Sequence, residues 1–72
     1  FTILRHTAAI PVVLSADNRC HVLMGLSGAM RVGGSNHQMS LDPGETALIP
    51  SSALPVPLTP AEPSQFLEVF WD

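Results

Sequence analysis

The chain has 72 residues, 46% hydrophobic and only 12% charged, with a formal net charge of -3. That length leaves room for one domain, residues 1–72, with a modest core, and so little charge excludes a disordered tail. Its basic residues, Arg5, Arg19 and Arg31 with no lysine, are too few and too scattered to neutralise phosphates, which argues against a nucleic-acid partner.

No apolar run reaches the ~20 residues that span a bilayer, so no membrane partner is expected. A surface so poor in charge predicts packing against another domain or a second copy. The single cysteine, Cys20, rules out an internal disulfide and a multi-thiolate zinc site. It reads as a small buried hydrophobe in a reducing, cytoplasmic setting. The chain opens at Phe1 rather than Met, as a fragment or a processed product would.

Seven prolines and five glycines interrupt the sequence at short intervals, and no stretch between them keeps a 3.6-residue period. The spacing predicts an all-β domain of about eight short antiparallel strands. Phe1–His6 forms the first and Pro11–Leu14 the second, followed by a polar turn at Asp17-Asn18. Cys20–Leu26 alternates Cys20, Val22, Met24 and Leu26 against His21, Leu23 and Gly25, and Ser27-Gly28 is expected to turn it by a hairpin into Ala29–Val32. Gly33-Gly34-Ser35-Asn36 turns the chain into His37–Leu41. Asp42-Pro43-Gly44 is a strong turn signal before Glu45–Ile49. Leu54, Val56 and Leu58 alternate with Pro55 and Pro57, which predicts an edge or irregular strand, poorly paired. Gln65–Trp71 closes the domain.

The segment from Gly28 to Val32, the turn after it, and Met39–Pro50 with Gly44 and Pro50 six residues apart resemble the centre of a cupin domain. Cupins carry a glycine at the end of a first motif and a second motif opening Gly-x5-Pro. The resemblance implies a small jelly-roll barrel. It also implies where active members hold a metal: the glutamate position falls on His21, the upstream histidine positions near Ser15 and Asp17, and the later histidine on Pro55, which has no ligand atom. No metal site is therefore expected in this chain.

Gly25-Leu26-Ser27-Gly28, the hairpin of Met30 to His37, and Leu41 to Pro50 are similar to the C-terminal domain of class I mannose-6-phosphate isomerases. In that family the zinc and the sugar-phosphate isomerase chemistry belong to an upstream domain. The likeness implies a non-catalytic, structural or oligomerising unit, partnered by that upstream domain or by a second copy as a homodimer. The alternatives are a stand-alone domain that binds a small sugar-like ligand and a metal-dependent cupin enzyme with atypical ligands.

For a ligand, a barrel-mouth pocket would be lined by His21, Met24, Arg31 and Trp71, alongside Met30. His6 and His37 read as solvated, Glu45 and Glu68 as surface acids, and the methionines as core filler. No serine sits in a nucleophile elbow, so no catalytic residue is assigned.

Overall fold

The computed structural model describes residues 1–34 and 38–71. Eight strands follow one another as β1 (Thr2–Ala8), β2 (Val12–Leu14), β3 (His21–Ser27), β4 (Met30–Gly33), β5 (Gln38–Leu41), β6 (Thr46–Ile49), β7 (Val56–Pro60) and β8 (Ser64–Phe70), with one 3-10 turn at Ser51–Ala53 before β7. No α-helix occurs among the described residues. Ser35, Asn36 and His37 lie outside them, so the expected turn there and the reading of His37 fall outside the description.

The strands pair into two antiparallel sheets of four, sheet I in the order β1-β8-β3-β6 and sheet II in the order β2-β7-β4-β5. Every connection crosses from one sheet to the other except β4 to β5. This corrects the expected hairpin at Ser27-Gly28, because β3 and β4 belong to different sheets. The register of β3 on β8 shifts between Gly25 and Ser27, and Gly28 takes φ of 72°, a conformation glycine adopts without strain. Together they turn the chain out of sheet I.

A second correction concerns the edge alternative for β7, which is a central, irregularly paired strand of sheet II. Its prolines are accommodated because its two neighbours overlap at one residue only. β2 covers Val56 to Leu58 and β4 covers Leu58 to Pro60. Pro57 and Pro60 therefore each have a strand on one side, where a missing N–H is tolerated, and Leu58 alone is paired on both.

The core lies between the sheets. Leu23, Ala47, Ile49, Phe66 and Ala8 come from sheet I and Met30, Val32, Leu41, Val56 and Leu58 from sheet II. The Asp42–Glu45 turn closes with Glu45 N–H donating to Asp42 O at 3.0 Å. It packs against β3 so tightly that a Cβ on Gly25 would stand 2.5 Å from Asp42 O, and only glycine permits that approach.

Candidate functional site

Strand alternation decides which side chains of sheet I face the core. The register aligns Leu4, Glu68 and Leu23 in one row and His6, Phe66 and Gly25 in the next, with His21, Phe70 and Ile49 in a third. All belong to the inner face, so this sheet carries two imidazoles and a carboxylate into the interior.

These groups are joined into a chain. Glu68 Oε1 accepts from His6 Nε2 at 2.8 Å. Glu68 Oε2 lies 2.6 Å from His21 Nδ1, a close approach that forms no hydrogen bond and is an ion pair only when the ring is protonated. His21 Nε2 donates to Asp17, 3.0 Å from each of its oxygens. The middle of the chain is dry, with the side chains of His21 and Glu68 3% and 6% exposed, and both ends reach solvent through Asp17 and His6. Aromatic rings flank it, with Phe66 stacked on His6 at 4.8 Å and Phe70 tilted against His21 at 5.3 Å.

Asp17 belongs to the turn before β3, where Asn18 takes φ of 61° and Asp17 Oδ1 also accepts from Arg19 N–H at 3.0 Å. The hydrogen bond from His21 holds the Asp17 carboxyl below its ordinary value of 3.8, aided by the Arg19 N–H against an opposing effect of desolvation.

A metal needs three or four donors converging on one point. Here Asp17 and Glu68 lie on opposite sides of the His21 ring, and each inward nitrogen faces a carboxylate rather than a common centre. Among the described residues no group of three or more His, Cys, Asp and Glu side chains is placed to hold a metal ion. His21 and Asp17, at or near positions where the resemblance implies ligands, are therefore not arranged around a common centre.

The four residues expected around a ligand are not brought together. His21 is buried on the inner face of sheet I, whereas Met24 lies on its outer face, 39% exposed. Arg31 is exposed on the outer face of sheet II, opposite Ser40 and Thr59. Trp71 follows β8, 53% exposed, with its ring 6.3 Å from that of Phe1. Cys20 is exposed rather than buried, because it ends the turn before β3 and takes no place on the inner face. Of the methionines, Met30 is core and Met39 is exposed.

Sequence reasoning missed Glu68 and His6. A signal for Glu68 stands in the alternation Phe66, Glu68, Phe70: a carboxylate between two aromatics on an inward face must have a buried partner.

Two cavities open at opposite edges of the sandwich. One of about 350 Å³ lies between the β5 and β6 edges, bounded by Val32, Met39, Leu48, Ile49 and Val56. The other, about 130 Å³, lies at the β1 and β2 edges and is bounded by His6, Val12, Leu14, Leu58 and Phe66. No long apolar helix crosses a membrane among the described residues.

Fold and site together define the chain as an all-β, two-sheet domain with a self-paired polar interior. No protein-family model, curated protein or solved structure matches it.

Proposed function

We propose that this chain is a non-catalytic jelly-roll domain of the cupin type, the structural C-terminal unit of a cytoplasmic mannose-6-phosphate isomerase-like protein. The observation that carries the reading is that His21, at one position where the resemblance places a metal ligand, is paired with Asp17, near another, and faces Glu68, which stands at none. The bond from His21 Nε2 to Asp17 supports the reading, since a nitrogen so engaged is less available to a metal or a substrate. The strand order supports the same reading, since two four-stranded sheets joined by repeated crossings are the wiring of a jelly roll.

The test is metal analysis of the purified chain together with turnover of mannose 6-phosphate. Neither bound metal nor isomerisation is expected here, while zinc and activity are expected in an upstream domain of the full-length protein. Stoichiometric zinc, iron or manganese in this chain, or turnover by it, would overturn the proposal.

The cavity of about 350 Å³ favours small-ligand binding as a second reading, since it falls at the small end of the ~300–1,000 Å³ range of ligand pockets. Its apolar lining suits an apolar ligand better than a sugar. Thermal stabilisation by such a ligand, lost in Val56→Trp, would favour this reading over the structural one.

A further inference from the structure

The outer face of sheet I has the composition of a buried surface. The register places Ile3, Val69, Val22 and Leu48 side by side in one row across all four strands. The next row is Arg5, Leu67, Met24 and Thr46. Phe1 and Trp71, two residues along the chain from Ile3 and Val69, add an apolar pair beside this row, their rings in contact. Ile3 and Leu48 are 54% and 64% exposed. Arg5, bonded to Gln65 at 2.6 Å, is the one charged residue in these rows.

We propose that this face binds a second copy of the same chain, the sheets stacked face to face about a twofold axis parallel to the strands and midway between β8 and β3. Three observations select this occupant. The first is area: three strands of seven residues and one of four, ~4.8 Å apart at ~3.3 Å per residue, project to about 400 Å². Side-chain relief and the Phe1–Trp71 pair extend that towards the ~800 Å² each partner contributes to a standard interface, and contiguous apolar patches of several hundred Å² mark association surfaces.

The second is symmetry. The axis sets β8 of one copy over β3 of the other and β1 over β6, so Ile3 meets Leu48 and Val69 meets Val22, twice over. The third is charge. The same operation carries Arg5 over Thr46 of the other copy, beside the turn that bears Asp42 and Glu45, so each copy supplies both halves of an attractive pair. The chain's net charge of -3 is no obstacle, because no carboxylate stands in either row.

The proposal gives the structural reading its partner and is tested separately from it, since mass reports on one and metal and turnover on the other. Sedimentation equilibrium in reducing buffer, which removes any contribution from Cys20, is expected to give twice the 7.7 kDa of the chain. Val22→Glu is expected to give a monomer with unchanged far-UV circular dichroism, Arg5→Glu to weaken the dimer about tenfold, and Arg31→Glu on the other sheet to leave it intact.

A readout that needs no destabilising charge is the Cys20→Ser, Ile3→Cys, Leu48→Cys chain under mild oxidation. Those two positions are three strands apart within one copy, beyond the ~7 Å limit for a disulfide, so the expected product is a covalent dimer. A monomer at concentrations far above micromolar, or a dimer that survives Val22→Glu and loses mass with Arg31→Glu, would overturn the proposal.

Discussion

The two sheets share strand number and antiparallel pairing, yet they distribute polarity in opposite ways. Sheet II is nearer to convention: Leu58, Met30, Val32 and Leu41 face the core, and Arg31, Ser40 and Thr59 face out, with Val13 and Pro57 the apolar exceptions on the outer face. Sheet I buries His21 and Glu68 and turns Ile3, Met24 and Leu48 outward. The hydrophobic effect is indifferent to which side of a sheet supplies the apolar area, provided both sides are covered. A sheet with apolar residues on both faces is thus an inner layer awaiting an outer one. The polar chain inside sheet I also fixes which face is inward, since only one register lets the imidazoles and carboxylates meet.

The largest effect that would sharpen this contrast is loss of Glu68. Glu68→Ala leaves two inward ring nitrogens without their carboxylate and is expected to cost about 3–5 kcal/mol in urea unfolding. The paired replacement His21→Leu, Glu68→Leu is expected to be less damaging than Glu68→Ala, because apolar side chains of similar volume remove the buried polar groups and their desolvation penalty together. If the double variant were as damaged as the single one, the polar chain would be a net source of stability and the contrast with sheet II would weaken. In sheet II, Leu58→Ala is expected to cost about 3 kcal/mol by cavity formation at a fully packed position.

The smallest effect is pH-dependent. Asp17 has a folded pKa below its unfolded one, so its contribution is complete above the unfolded value and disappears as pH falls through the folded one. Asp17→Asn is therefore expected to flatten the acid limb of the stability curve below about pH 4 and leave its slope at neutral pH unchanged. A slope unaltered in acid would show that the bond to His21 contributes nothing to folding.

The eight strands were legible because their ends are marked by residues with local conformational reasons, such as Gly44, which takes φ of 87° in the turn before β6. Pairing partners were not, since nothing within Ser27-Gly28 says that the next strand joins the other sheet. The prolines of β7 misled for the same reason: proline forbids a donor at its own position, and whether a neighbour needed that donor depends on strands far away in sequence. In β3, Val22, Met24 and Leu26 oppose His21, Leu23 and Gly25, and hydrophobicity alone favours the wrong set as the inner one. The placement of His21 inside came from the family pattern, and its link to Glu68 spans 47 positions of sequence, a distance over which single-residue chemistry gives no guidance.

The overlap of β2 and β4 on β7 at Leu58 alone has a mechanical consequence. Sheet II behaves as two narrow ribbons welded at one residue, and three-residue β2 can peel away without unzipping β4 from β5. Amide protons held between β2 and β7 should then exchange with solvent well before those between β3 and β8, and the small cavity beside His6 would gain a transient door.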